Sequence, residues 1–278
     1  RNEREPMSEL SLELLHAGFT VNPEHVVLQT RRLAHKRFPS MFGVIEHPKE
    51  GVILYDTGYS KRFYEETKRF PGRAYSLVTP VTLHDADLAT SQLAERGIHP
   101  GDVRTIIISH FHADHVCALA DFPNATYVYL GKAYEAVRGL TGFGALMHAV
   151  LPGLLPTDFE ARSRPIDARG LVRLPPEMMP FEVGYDIFGD GSVLGVELPG
   201  HVVGQLGLFL QTADGPWFLV ADSCWTAQSY KEQRLPHPVT RLLFDDYEVY
   251  GDTLQKLGAL WRGSDIRLVP SHCEETLA

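Results

Sequence analysis

Residues Ser109-His110-Phe111-His112-Ala113-Asp114-His115 put three imidazoles and a carboxylate within six consecutive positions. The preceding run, Thr105-Ile106-Ile107-Ile108, is continuously apolar and reads as a fully buried strand. Val116-Cys117-Ala118-Leu119-Ala120 reads as the start of a helix, so the polar cluster sits on a strand-to-helix turn. Side chains alternate along extended backbone, so His110 and His112 point the same way. Asp114 and His115 follow where the chain bends and can face the same space from the other side. Imidazole and carboxylate together suit zinc and related divalent ions. Four such groups exceed what one open catalytic zinc takes from a single loop, which points to two metals.

The pattern resembles the H-x-H-x-D-H signature of the metallo-β-lactamase superfamily. The resemblance implies a four-layer αββα sandwich with a metal site at one edge of two packed sheets. It also implies a further His, Asp and His, each at a strand end, and the chain supplies them in that order. Val193–Leu198 reads as a strand running into Pro199-Gly200-His201, where the glycine permits a tight turn. Leu206–Leu210 and Trp217–Val220 read as strands joined at Asp214-Gly215, a hairpin signal, and the second ends at Ala221-Asp222. Ile266–Val269 leads into Pro270-Ser271-His272. By resemblance, His110, His112 and His201 hold one divalent metal ion, Asp114, His115 and His272 hold the other, and Asp222 bridges them. Zinc is the favoured metal, with manganese, iron and cobalt as alternatives because the bridge is an oxygen donor. The resemblance makes Asp114 and Asp222 the catalytic carboxylates. Asp56, in an Asp-Thr-Gly after the strand Val52–Tyr55, is implied to support the ligands from below rather than to bind metal.

Within the superfamily, Phe188-Gly189-Asp190-Gly191-Ser192, Pro199-Gly200-His201 and Gly204-Gln205 resemble the N-acyl-homoserine lactonase branch. That implies opening of a lactone or other carboxylic ester by a metal-bridging hydroxide. The alternatives are a thioesterase, a phosphoesterase or phosphotriesterase on the same metals, and a metal-bound protein that binds a signal metabolite without hydrolysing it. Many of these lactonases carry a tyrosine three residues after the bridging Asp; here that position is Trp225. An indole N–H donates but cannot accept or shuttle a proton. Tyr59, Tyr64 and Tyr230 are then the alternative donors, and Trp225 a surface for a flat substrate.

The remaining chain reads as one domain, residues 1–278, long enough for one large core. Val26–Gln29 reads as a strand, and Phe42–Ile45 with Val52–Tyr55 as a hairpin. Asp85–Arg96 reads as a helix stopped by Gly97, and Tyr127–Leu130 as a strand. Tyr247, Tyr250, Leu254, Leu257 and Trp261 recur at helical spacing on one apolar face. Residues 131–182 are glycine- and proline-rich yet apolar, and read as an irregular insertion that covers the site. Phe143 and Met147 from it, with Tyr59, Phe63 and Tyr64 from an earlier aromatic loop and Trp225, are the expected substrate-binding residues. The alternative for the insertion is a packing surface or the contact face of a homodimer. The net charge of −9 without a Lys/Arg cluster argues against a nucleic-acid partner and leaves a small-molecule ester or lactone. No apolar run reaches the ~20 residues of a membrane span. The polar start Arg1–Glu5 holds no signal core, so a cytoplasmic location is expected, although the first residue is Arg and a trimmed leader stays open. Cys117, Cys224 and Cys273, each within two residues of an expected ligand, are small core fillers or oxidation-sensitive neighbours of the site.

Overall fold

The apolar run before the histidine cluster is an inner strand of one sheet in a computed structural model that describes residues 10–29 and 34–276. That sheet holds β1 (Ser11–Pro23), β2 (His35–His47), β3 (Gly51–Tyr55), β4 (Val81–Thr82), β5 (Val103–Ile107), β6 (Thr126–Tyr129) and β7 (Ser163–Pro165), in the order β4-β1-β2-β3-β5-β6-β7. The second sheet holds β8 (Val172–Arg173), β9 (Val183–Asp186), β10 (Val193–Glu197), β11 (Leu206–Thr212), β12 (Gly215–Ala221) and β13 (Arg267–Pro270), in the order β13-β12-β11-β10-β9-β8. The helices are α1 (Glu24–Leu28), α2 (Arg62–Glu66), α3 (Gly72–Val78), α4 (Ala89–Glu95), α5 (Ala113–Val116), α6 (Gly131–Val137), α7 (Gly142–Met147), α8 (Phe159–Arg162), α9 (Ala227–Glu232) and α10 (Tyr247–Gly263).

Strand periodicity sorts the side chains into layers. Ile53, Tyr55, Ile107 and Val128 face the second sheet and meet Leu206, Leu208, Leu219 and Val269 in the central layer. Their neighbours Leu54, Ile106 and Tyr127 face outward onto Phe63, Leu93 and Val116. On the far side, Phe209, Phe218 and Val220 pack against Tyr230 of α9 and Leu254, Leu257 and Leu260 of α10. This is the αββα sandwich. Parallel β3, β5 and β6 are covered on both faces, which is why the run before the histidines is uniformly apolar.

Most expected elements are present, including the hairpin β2–β3, the β11–β12 hairpin and α10. Three readings are corrected, and one strand goes unmarked by the sequence. Residues 26–28 form part of α1, not a strand: the chain turns away from its sheet at Pro23, and Val27 and Leu28 pack onto Phe38. The long β1 gives no clear signal; it pairs with β2 along its length around a bulge between His16 and Phe19, where Gly18 sits at φ +78°. The helix expected over Asp85–Arg96 begins as a 3-10 turn at Asp85–Asp87 and becomes α-helical only from Ala89. Residues 131–182 are not irregular: they contain α6, α7 and α8, and their strands β7 and β8 extend one sheet each. Glycines and prolines there end short elements rather than prevent them. The expectation about Arg1–Glu5 lies outside the described residues. Among the described residues, no helix is long and apolar enough to cross a membrane.

Candidate metal centre

Five strand ends converge at one edge of the sandwich. Asp56 follows β3, His110 and His112 follow β5, and Asp114 and His115 lie on α5. His201 follows β10, Asp222 follows β12 and His272 follows β13. Ligand-capable atoms of His110, His112, His201 and Asp222 lie within 4.8 Å of one another, and so do those of Asp114, His115 and His272. Asp222 reaches both groups. Its Oδ2 lies 3.4 Å from His201 Nε2 and 3.2 Å from His272 Nε2, and its Oδ1 lies 3.5 Å from His115 Nε2. Asp114 Oδ2 is 3.4 Å from His272 Nε2 and 3.6 Å from His115 Nε2. All seven side chains expected from the sequence are therefore brought together.

A hydrogen-bond relay behind them fixes which nitrogen faces inward. Asp56 is fully buried; its Oδ1 accepts the Ser109 N–H at 2.8 Å, and its Oδ2 accepts the Ser109 hydroxyl at 2.7 Å and His115 Nδ1–H at 2.7 Å. Because the Ser109 hydroxyl donates to Asp56, its oxygen is free to accept from His110 Nδ1 at 3.0 Å. One carboxylate thus orients His115 directly and His110 through Ser109. His272 Nδ1 donates to the Pro39 carbonyl at 2.8 Å. In each ring Nε2 is turned toward the cluster, where it binds metal once it carries no proton. Ser109 and Pro39 were not given roles from sequence. Ser109 lies inside the motif and was findable there, whereas Pro39 lies far away in the chain and carries no local signal.

Asp56 and Ala221 occupy φ +60° and +47°, positions rarely adopted by residues other than glycine. Both sit where a strand ends and the backbone turns toward the cluster. Gly200, at φ +117°, solves the same problem before His201: a Cβ there would lie 2.2 Å from the Tyr250 backbone nitrogen. The loop is bolted down by Asp245 N–H donating to the His201 carbonyl at 2.9 Å and Asp246 N–H to the Gly200 carbonyl at 3.0 Å.

The electrostatics divide the cluster in two. Burial, aided by neighbouring imidazoles, pushes His110 well below the ordinary histidine value. Burial also takes His112 down to about 4 and His201 to about 3. These imidazoles are neutral, the form that binds metal. For His272 burial acts against the charged form, but the carboxylates of Asp222 and Asp114 prevail and raise it to about 9. His115 is likewise raised well above normal against its burial, by Asp114, Asp56 and Asp222. Burial opposes the charge on Asp222 too, yet His272 and His115 hold its carboxyl well below the usual range.

The donors suit a bound cation. His110 Nε2, His115 Nε2 and Asp222 Oδ1 are buried without a hydrogen-bond partner, and His201 Nδ1 has none either. Buried polar atoms are normally paired, and unpaired ones are costly. Nitrogen and carboxylate donors in two groups that share Asp222 fit two divalent ions of the zinc type.

The expected substrate residues fare unevenly. A cavity of about 270 Å³ opens beside His112 and His201, and Met147 is in its lining. Phe63 is a core side chain beneath the first sheet, packed on Tyr59 and Tyr75, so it is corrected from cleft wall to core. Phe143 and Tyr64 are exposed and outside the cavity lining, and the Tyr64 hydroxyl donates to the Val81 carbonyl. The Tyr230 hydroxyl is engaged with the Leu268 carbonyl. Tyr59 is buried, and burial followed by the nearby Asp114 carboxylate keeps its hydroxyl protonated. Trp225 is half-buried, with ring centroids 6.3 Å from His201 and 5.6 Å from Phe244. The sequence reading missed Phe111, Leu243 and Phe244, which line the cavity from segments more than a hundred residues apart. The cysteines are buried and free; Cys117 contacts Ser60, and Cys273 Sγ accepts the Ala227 N–H at 3.3 Å. Burial raises the Cys117 thiol to about 11, which makes it a filler rather than a reactive group.

Comparison with known proteins agrees with this geometry. Over 234 residues the chain is 28% identical to the N-acyl homoserine lactonase AttM of Azorhizobium caulinodans, covering 83% of this chain and 82% of that one. An N-acyl homoserine lactone hydrolase solved with N-hexanoyl-L-homoserine at its catalytic metal centre superposes with a TM-score of 0.70 at 21% identity, covering 97% and 96% of the two chains. AidC, a dizinc quorum-quenching lactonase, superposes with a TM-score of 0.65 at 15% identity, covering 98% and 90%. The family profile of the metallo-beta-lactamase superfamily matches residues 35–260. With that match spanning most of the sandwich and the histidine cluster at its edge, the chain belongs to the metallo-beta-lactamase superfamily of metal-dependent hydrolases.

Proposed function

We propose that the protein is a dinuclear metal hydrolase that opens N-acyl-homoserine lactones or closely related carboxylic esters. The observation that carries this reading is the position of Asp222, whose two oxygens lie within 3.2–3.5 Å of His115, His201 and His272 and so join the two groups of ligands. His110, His112 and His201 would hold one ion, Asp114, His115 and His272 the other, and Asp222 both. Zinc is the favoured ion. Bound there, such ions supply a water of pKa near 7 and a Lewis acid for the substrate carbonyl.

The chain's own residues do the rest. Asp114 is the less buried of the two carboxylates and faces His272 and His115, where it can hold a proton for the departing alkoxide oxygen. The protonated Tyr59 hydroxyl is the donor best suited to replace the tyrosine that Trp225 displaces. The likeness to AttM over four-fifths of both chains supports the lactone as substrate.

The test is a proton-release assay on zinc-loaded protein with N-decanoyl-homoserine lactone, an acyl thioester and an aryl phosphotriester in parallel, alongside Asp222→Asn. Lactone opening that exceeds the other two and collapses at least 100-fold in the variant supports the proposal. Turnover of thioester or phosphotriester with the lactone untouched replaces the substrate class. Wild-type rates in the variant remove the dinuclear reading.

A further inference from the structure

Residues 61–78 carry Lys61, Arg62, Lys68, Arg69 and Arg73 against only Glu65 and Glu66, a cationic stretch in a chain of net charge −9. Lys61 pairs with Asp85 at 2.8 Å and Arg62 with Asp121 at 3.6 Å. Glu66 is held against Gly153, where an added Cβ would strike its carboxylate. Lys68, Arg69 and Arg73 are exposed and pair with no acid among the described residues. α3 buries Gly72 and Tyr75 and turns Arg73 and Leu77, four residues apart, outward. Phe70 just before α3 and Val78 at its end are exposed by 66% and 75%. α3 packs beside α7, which lies within residues 139–157, a run without a single Asp, Glu, Lys or Arg. Phe143 and Met147 of α7, again four residues apart, are exposed by 67% and 66%. The two helices thus present five large apolar side chains to solvent beside three unpaired cations. Exposed apolar surface of this extent marks a binding face.

We infer that the α3–α7 face docks onto an anionic lipid surface. Its apolar side chains enter the headgroup layer, and Lys68, Arg69 and Arg73 meet the lipid phosphates. Aromatic and aliphatic tips with Arg and Lys at their margin are the composition of a segment that lies in a membrane interface. The cationic side chains are free to reach acidic headgroups, because no carboxylate holds them. Each cation near such a surface strengthens binding about fivefold. The chain as a whole is acidic and is repelled by an anionic bilayer, so binding there requires a local cationic surface. A second copy of the chain suits this face poorly. In a two-fold contact the face meets itself, and three unpaired cations would oppose three more. The inference is independent of the ester-hydrolase reading, because no substrate enters it.

The experiment sediments zinc-loaded protein, freed of excess metal, with vesicles of phosphatidylcholine alone and of phosphatidylcholine mixed with phosphatidylglycerol. Wild type should bind the mixed vesicles roughly tenfold or more tightly than the neutral ones, and added salt should weaken that binding. Arg69→Gln combined with Arg73→Gln should lose roughly 30-fold in affinity for the mixed vesicles. Leu77→Ser combined with Val78→Ser should lose roughly tenfold or more. All four positions are exposed, so both variants keep the wild-type Tm. Sedimentation velocity without lipid reports self-association in parallel. Failure of wild type to bind the mixed vesicles overturns the inference. Binding that survives in both variants belongs elsewhere on the chain and overturns it too. A lipid-free dimer that Leu77→Ser with Val78→Ser dissociates gives the face to a second copy instead.

Discussion

Asp56 touches no expected substrate position, yet replacing it with asparagine is predicted to weaken both metal sites. Its Oδ2 accepts from His115 Nδ1 and from the Ser109 hydroxyl, each at 2.7 Å, and its Oδ1 accepts the Ser109 N–H at 2.8 Å. Asparagine fits the backbone, because Asp56 sits at φ +60° and asparagine tolerates that region. The amide cannot satisfy all three donors. In one orientation its NH2 meets the Ser109 N–H. In the other it meets His115 Nδ1 and drives the imidazole proton onto Nε2, the atom that faces Asp114 and Asp222. Loss of a hydrogen-bonded carboxylate behind a metal-binding histidine typically costs 10- to 100-fold in metal affinity, or about 1.4–2.8 kcal/mol. Zinc dissociation constants measured by competition with a chromophoric chelator should rise by that factor in Asp56→Asn. Ser109→Ala, which breaks only the relay to His110, should raise one constant by roughly tenfold and leave the other within threefold. Unchanged zinc affinities in Asp56→Asn, or equal losses at both sites in Ser109→Ala, would refute the relay.

Two other predictions concern protons and backbone. In the metal-free protein His110, His112 and His201 are neutral at pH 7, whereas His115 and His272 carry protons. A proton must leave each of the latter before its Nε2 can bind metal. Loading the Asp114–His115–His272 half therefore releases up to two protons, one per imidazole, and its affinity falls as pH drops from 8 to 6. Loading the other half releases none from its imidazoles and stays nearly level. Calorimetry in buffers of different protonation enthalpy separates the two, and equal proton release at both steps contradicts the assignment. Gly200→Ala forces a Cβ to 2.2 Å from the Tyr250 nitrogen at φ +117°. It should cost about 3 kcal/mol, read calorimetrically as a Tm drop of roughly 5–10 °C, and an unchanged Tm contradicts the close approach.

The first part of the cluster was readable because it is local, and the rest because the family resemblance asks for ligands at strand ends. His110 to His115 occupy one turn, and His201, Asp222 and His272 each end an apolar run that reads as a strand. The layers were implied by the family resemblance, because β3 and β5 are apolar on both faces and show no alternation to read. What sequence could not supply depends on chain distant in number. β1 is held by pairing with β2 rather than by its own pattern, and Val26 to Leu28 follow the turn out of the sheet despite the β-branched Val26 and Val27. Phe63 reads equally well as cleft or core, and only its neighbours Tyr59 and Tyr75 decide. The Pro39 carbonyl that orients His272 lies 233 residues away from it. The cavity joins Phe111, Ala136 and Leu243, which no spacing rule connects.

The most direct test of a shared Asp222 is to add zinc in steps to metal-free protein and follow lactone hydrolysis at each ratio. The rate should climb until about two equivalents are bound and then level off, with Asp222→Asn flat throughout. A plateau at a single equivalent, or hydrolysis that persists in metal-free protein, would contradict the account.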